Sequence, residues 1–484
     1  MLLTLIFFTL IIGILLILLC DKSYNLLLKS ISIITSSIVL ILSTVILYKF
    51  DSNVYHFQEM VNYTLDSRIF NLSYSFGLDG LSVHFFFLSA FLVFLCILFV
   101  WNEVNFKAYM LNLLLIELFL LIIFSVLDLM LFYIFFEAIL IPMFLIIGIW
   151  GSRERKIRAV YLFFFYTLCS SLLMLIGILY IYTKVGTLNL EYLLAWEFTF
   201  NEQVCLWFAF FLSFASKIPM YPFHIWLPEA HVEAPTVGSV LLAGILLKLG
   251  VYGFLRFSLA LFPEISLFCG PIVYFLSIIG IIYASLSALR QTDLKRIIAY
   301  SSIAHMNLVT AGLFSFNVMG LEGSIIQSIS HGFVSGGMFL LIGILYDRYH
   351  TRFLYYYGGL VHFMPIYATL FLIFTFANIA IPGTSSFVGE FLILAGIYQS
   401  NPGSSMICAL GVILCGGYSL WLYNRIIFGN IKINYTLNFA DITNREFFIM
   451  LPLFLFIFIM GFYPTYFLSY IHLASNNLFF FSYV

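Results

Sequence analysis

The 484-residue chain is 63% hydrophobic and only 9% charged, with a mean hydropathy of +1.09 and a formal net charge of −1. These values exclude a soluble globule, which needs a more polar surface, and they leave no basic surface for nucleic acid. They predict one integral membrane domain over 1–484, an all-α polytopic protein, because a segment alone in hydrocarbon satisfies its backbone only as a helix.

Taken in chain order, apolar runs of about 20 residues predict about 14 transmembrane helices. They fall at 2–20, 26–48, 79–101, 111–127, 129–149, 159–183, 204–220, 236–262, 269–289, 296–315, 321–346, 362–399, 406–428 and 446–470, with the twelfth broken. No basic residue precedes the first run and no small-residue cleavage site follows it, so it is expected to persist rather than serve as a signal peptide. The longest polar excursions are 49–78, 184–203 and 429–445.

Charge inside such runs needs a reason, since an ammonium or carboxylate at a helix centre costs ~2.5–3.5 kcal/mol on insertion scales. Glu117 lies within the fourth run and Asp128 just after it; Asp128 reads as interfacial or accessory, and Glu117 has no assigned role. Glu137 lies in LFYIFFEAILIP, with apolar neighbours on both sides, and Pro142 frees the carbonyl of Ala138. A proton-handling role is expected for it.

The next polar stretch is SFASKIPMYPFHIWLPEAHVEAPT, residues 213–236, in which Pro219, Pro222, Pro228 and Pro235 interrupt the helix. Lys217 stands at the end of the first half-helix, where free carbonyls favour a cation. His224, Glu229, His231 and Glu233 follow; their spacing fits no common zinc pattern, so they are read as accessory groups that orient the break or branch toward one aqueous side. Lys248 sits mid-span in LLAGILLKLGVYGF, with Gly244, Gly250 and Gly253 allowing close helix approach. His305 in AYSSIAHMN and His331 in SISHGFVSGGMF are central to neighbouring spans, each beside serines suited to donate to imidazole or order water, and both fit a proton relay. The second break, at Pro382 and Gly383, precedes Thr384, Ser385 and Ser386 as candidate N-caps and places Glu390 near the positive end of the following half-helix.

Each break thus stands beside a charge of the sign it stabilises. The spans at 111–262 and 269–428 form two five-helix units, each with a broken helix as its fourth member, and five is odd, so the second repeat is inverted. A water-linked path through Glu137, Lys217, Lys248, His305, His331 and Glu390 is expected. Opening or closing one ion pair at about 4 Å in an effective dielectric near 20 changes the energy by ~4 kcal/mol. That exceeds the ~2.3 kcal/mol needed to move a charge against 100 mV.

Loops after odd-numbered spans, with their flanks, hold 15 of the 21 lysines and arginines, whereas those after even spans hold Lys49, Arg68 and Lys184. Both termini are therefore expected on the side opposite the basic loops, the intermembrane-space side in a mitochondrion. The seven cysteines show no C-x-x-C spacing, which argues against iron–sulfur or zinc sites; no metal is expected.

Four stretches carry a resemblance: FYIFFEAILIPMFLIIGIWG (132–151), SKIPMYPFHIWLPEAHVEAPTVGSVLLAGILLKLGVYGFLR (216–256), DLKRIIAYSSIAHMN (293–307) and GTSSFVGEF (383–391). The chain after about residue 75 closely resembles the subunit 4 family of mitochondrial NADH dehydrogenase, antiporter-like proton-pumping subunits of respiratory complex I. The resemblance implies a fourteen-helix fold with inverted five-helix repeats, and proton translocation at Glu137, Lys217, Lys248 and Glu390 with His305 and His331 on the connecting axis. It implies no redox cofactor here, with NADH, FMN, iron–sulfur clusters and ubiquinone in other subunits. Membrane-arm subunits, among them sibling antiporter-like ones, are the implied partners, together with lipids. Siblings usually carry lysine where this chain has Glu390, and Glu117 departs from the family pattern. The mitochondrial inner membrane is the expected location, with a bacterial plasma membrane as the alternative. A secondary cation/proton antiporter subunit is the runner-up; a haem-bearing electron carrier lacks paired axial ligands, and a pure scaffold predicts that neutralising Glu137 changes assembly alone.

Overall fold

The computed structural model describes residues 1–66, 71–100, 103–432 and 440–483. In chain order the elements are α1 (Leu2–Leu19), α2 (Asn25–Lys49), β1 (Gln58–Asp66), β2 (Asn71–Leu78), α3 (Val83–Phe99) and α4 (Phe106–Ser125). Then come α5 (Leu129–Trp150), α6 (Lys156–Val185), α7 (Leu190–Leu194), α8 (Phe200–Lys217), α9 (Trp226–Glu233), α10 (Thr236–Leu261), α11 (Pro263–Arg290) and α12 (Leu294–Leu313). The chain ends with α13 (Val318–Tyr349), α14 (Pro365–Asn378), α15 (Ser385–Ser400), α16 (Pro402–Ile427), α17 (Asn444–Phe462) and α18 (Pro464–Tyr483). Ten of these helices are long and apolar enough to cross a membrane.

Every expected span has its helix, and the departures have local causes. The 49–78 excursion holds an antiparallel hairpin, with Gln58 opposite Leu78 and Val61 opposite Phe76, as an addition to the helical fold. Arg68 lies outside the described residues. The 446–470 run divides before Pro464, which lacks the N–H to continue α17. A turn at Ile139 interrupts α5 three residues ahead of Pro142. The helix α10 contains two π-helical turns, Leu242–Leu246 and Phe254–Ser258, which hydropathy cannot reveal.

The chain divides into two compact units, one of 1–217, 248–268 and 469–484, the other of 218–247 and 269–468. In the first, α1 meets α2 where Gly13 lies against Thr35, and a cluster of Phe132, Phe136, Phe214, Tyr252 and Phe257 forms the centre. Its buried Arg256 donates to both oxygens of Asp79, at 2.8 and 2.6 Å. In the second unit, α13 is buried along its whole apolar window. The close approach of α15 to α13 rests on small residues: a Cβ on Gly389 would meet Gln327 at 2.7 Å, and one on Gly396 would meet Gly320 at 2.6 Å.

Candidate functional site

In the first unit, α8 ends at Lys217, where the last carbonyls of a helix lack intrahelical donors and favour a cation. The side chain is buried, with Nζ 4.4 Å from the centroid of the Phe136 ring and no hydrogen-bond partner among the described residues. Glu137 follows Phe136 on α5 and lies within electrostatic range of Lys217, with Ser171 of α6 also facing its carboxylate. The expected ion pair is therefore open: the ammonium rests on an aromatic face beside the carboxylate rather than on it. Ser170 and Ser216 join α6 to α8 at 2.6 Å next to the break.

Lys248 is fully buried on α10, two residues after the first π-helical turn closes and six before the second begins. Single π turns widen a helix and recur at functional positions. Gly253, five residues on, lies directly against the Phe214 ring of α8, a contact that a side chain would block. Glu117 is also fully buried, and neither carboxylate oxygen has a hydrogen-bond partner among the described residues. Asp128 has a different duty: its Oδ1 accepts from the amides of Met130 and Leu131, both at 2.9 Å, so it caps α5.

The second unit brings together three of the expected residues. Glu390, one and a half turns into α15, lies with Oε1 2.9 Å from His305 Nδ1 on α12. The His305 and His331 rings have centroids 5.9 Å apart. All three side chains are buried. Of the neighbouring serines, Ser301 and Ser302 donate to the carbonyl of Ile298, and Ser335 to the carbonyl of His331. Thr384 occupies the N-cap position of α15, but its hydroxyl turns back to the carbonyl of Ile381, and Ser386 donates to that of Ala377. The break thus satisfies the end of α14 rather than the start of α15. Gly383 bends the chain there with φ +95°.

Four uncharged residues complete this cluster. Gln327 Nε2 donates to Glu390 Oε1 at 3.0 Å, and Cys415 Sγ lies 3.6 Å from His305 Nε2. Tyr418 donates to Cys415 Sγ at 2.9 Å, and the thiol reaches the carbonyl of Asn378 at 3.3 Å. A cavity of about 10 Å³ touches His305, Glu390, Cys415 and Tyr418, at the lower limit for one water. None of the four carries a charge, so hydropathy gives no alarm; the available signal is spacing, Gln327 four residues before His331 and Cys415 three before Tyr418 on common helix faces.

The acids that follow the first break are tied to arginines within the second unit. Glu229 meets Arg296 at 2.6 Å, and buried Glu233 meets Arg352 at 2.9 Å. Arg352 also donates to the carbonyl of Val232, and Lys295 Nζ donates to that of Ala234 at 2.7 Å. Lys295, at the mouth of its span, is held down to about 7, chiefly by burial and then by the Arg352 charge, against the pull of Asp347 and Glu233. His231 stacks on Phe339 at 4.8 Å, and His224 meets Tyr283 edge-on at 5.3 Å. These contacts fix the path of the 218–235 segment, and among the described residues no three His, Cys, Asp or Glu side chains stand close enough to hold a metal.

Residues 126–415 match a family model described as NADH:quinone oxidoreductase/Mrp antiporter, transmembrane. The chain is 56% identical over 411 residues to NADH-ubiquinone oxidoreductase chain 4 of Chondrus crispus, covering 84% of each. It also resembles a chain of respiratory complex I from Thermus thermophilus with bound NADH, with TM-score 0.88, 31% identity, and coverage of 98% of this chain and 99% of that one. A chain of the Mrp complex from a Dietzia species shares the fold, at TM-score 0.84 and 19% identity, over 98% of this chain and 97% of its own.

Proposed function

This chain belongs to the NADH:quinone oxidoreductase/Mrp antiporter transmembrane family, and from that premise we propose how its buried charges move protons. It is an antiporter-like membrane subunit of the proton-translocating NADH:ubiquinone oxidoreductase, respiratory complex I, embedded as a multi-pass protein of an inner membrane beside other membrane-arm subunits.

The proposed path takes Glu137, Lys217 and Lys248 from the first unit and His331, His305 and Glu390 from the second. The contact chain of His331, His305 and Glu390, at 5.9 Å between rings and 2.9 Å to the carboxylate, carries the reading, because it supplies adjacent groups able to accept and pass a proton. In the first unit the open arrangement of Lys217 and Glu137 is one state of a switch. Swinging the ammonium from Phe136 onto the carboxylate changes the local energy by ~4 kcal/mol at 4 Å. This is enough to drive release against a potential of respiratory size, at ~2.3 kcal/mol per charge per 100 mV.

The two breaks, at Pro219 and Pro222 and at Pro382 and Gly383, serve as the yielding points of two inverted repeats, 111–262 and 269–428. Both termini are assigned to the intermembrane-space side from the bias of lysine and arginine toward the odd-span loops. NADH, FMN, iron–sulfur clusters and ubiquinone are assigned to other subunits, leaving this chain the proton path alone.

The test uses the assembled complex in sealed vesicles. A Lys217→Ala complex that assembles normally is expected to oxidise NADH while moving fewer protons per electron. Full pumping per electron in that variant would sink the assignment.

A further inference from the structure

The second unit holds a pocket of about 670 Å³ where two membrane-spanning helices end. Arg290 stands in the last turn of α11 and Arg425 in the last turn of α16, and both line the pocket. Half of its remaining lining residues are aromatic, Phe353, Tyr355, Tyr356 and Trp421. Trp421, four residues before Arg425, lies about 6 Å deeper along the helix, and the guanidinium sits 5.6 Å from its ring.

No carboxylate lines this pocket, and neither arginine has an ion-pair partner among the described residues. The nearest acid in sequence, Asp293, faces Arg352 instead. Lys432 brings a third cation to within 4.8 Å of the ring of Tyr355, which lines the pocket. Two exposed arginines at the ends of spans, one of them over an aromatic ring, match a ligand with a phosphate head and an apolar body. They also lie on the basic side of the chain, where anionic headgroups concentrate. A free phosphate would use the arginines but leave the aromatic floor without a function.

We propose that this pocket binds an anionic phospholipid, its phosphate held between Arg290 and Arg425 and its first acyl carbons lying on Trp421 and Phe353. Arginine suits the role because its planar fork bonds phosphate oxygens in pairs. The assignment stands apart from the proton path, although α16 carries both Trp421 and the Cys415 and Tyr418 pair.

The assembled complex would be placed in phosphatidylcholine nanodiscs doped with photoactivatable phosphatidylglycerol or, separately, photoactivatable phosphatidylcholine, and the labelled peptides mapped. The glycerol lipid is expected to label peptides spanning 289–292, 353–356 or 421–425, and the choline lipid to label them weakly. Arg290→Gln with Arg425→Gln is expected to cut labelling about thirtyfold, the equivalent of ~1 kcal/mol for each basic residue. Arg290→Lys with Arg425→Lys, which keeps the charge, controls for assembly and should retain most of it. Equal labelling by both lipids, undiminished labelling in the glutamine variant, or an unlabelled pocket covered by another subunit would overturn the proposal. So would full protection by inorganic phosphate, which would mark a free-anion site.

Discussion

The two helix breaks hold their charges in opposite ways. Lys217 ends a half-helix with its ammonium on the Phe136 ring and no hydrogen-bond partner among the described residues, whereas Glu390 is gripped by His305 at 2.9 Å and Gln327 at 3.0 Å. A cation over an aromatic face is held by a shallow, broadly directed attraction. A buried carboxylate with two directional donors is fixed in place. Within the proposed path, the first break thus suits a side chain that moves, and the second a group that keeps its position.

The largest effect that could break this contrast comes from Glu390→Gln. Pumping per electron is expected to fall at least about tenfold, since ~1.4 kcal/mol of lost coupling suffices for that and the charge supplies more. The denaturation midpoint of the complex should fall as well, because hydrogen bonds to a charged group contribute ~1.5–3 kcal/mol each. Lys217→Ala should reduce pumping without a comparable loss of stability, having no such bond to lose. Equal stability losses in the two variants would erase the distinction between a mobile and a fixed charge.

A smaller, geometric test adds one methyl group to a helix packed near each charge. Gly389→Ala drives a Cβ to within 2.7 Å of Gln327, so the amide must leave Glu390 or α15 must shift. Overpacking of this kind costs ~1–3 kcal/mol, and turnover should drop several-fold. Gly253→Ala pushes on the Phe214 ring, which belongs to the aromatic cluster containing Phe136. Because Lys217 donates to no fixed acceptor among the described residues, turnover should suffer less there than with Gly389→Ala. Measured NADH oxidation coupled to proton uptake in the two variants decides it, and the reverse order would contradict the fixed-charge reading.

How much of this was legible follows from the range of each signal. Hydropathy reveals a span because a run of about 20 apolar residues is a local property, and a lysine or glutamate inside it announces itself by its cost. The hairpin at 58–78 escapes because strand pairing leaves no mark in a window of that width. Asp79 and Arg256, 177 residues apart, look like two interfacial charges until the fold joins them. Gln327 and Cys415 escape for another reason: an amide or thiol in a membrane helix is inexpensive enough to pass unnoticed, although both touch the terminal His305 and Glu390 pair. The charge at each break could be read from the sequence, but whether it was held or free could not, because that depends on distant helices.

The smallest expected effect concerns the charges that fix the segment after the first break, and it has a definite direction with pH. Lys295 titrates at about 7 in the folded chain against 10.5 ordinarily, so between those values the unfolded chain binds more protons and stability rises with pH. Below about 7 both states are protonated, and the full penalty of a buried ammonium beside Arg352 is present. Lys295→Met removes that penalty along with the bond to Ala234. Relative to wild type, the variant complex should therefore gain in denaturation midpoint as pH falls from about 9 to about 7, and gain no more below that. The shift should be a few degrees at most, because the complex is large and Glu233 and Arg352 still hold the segment. Parallel denaturation curves across this window would show that Lys295 stays charged, and that the cations around Glu233 hold the first break by attraction alone.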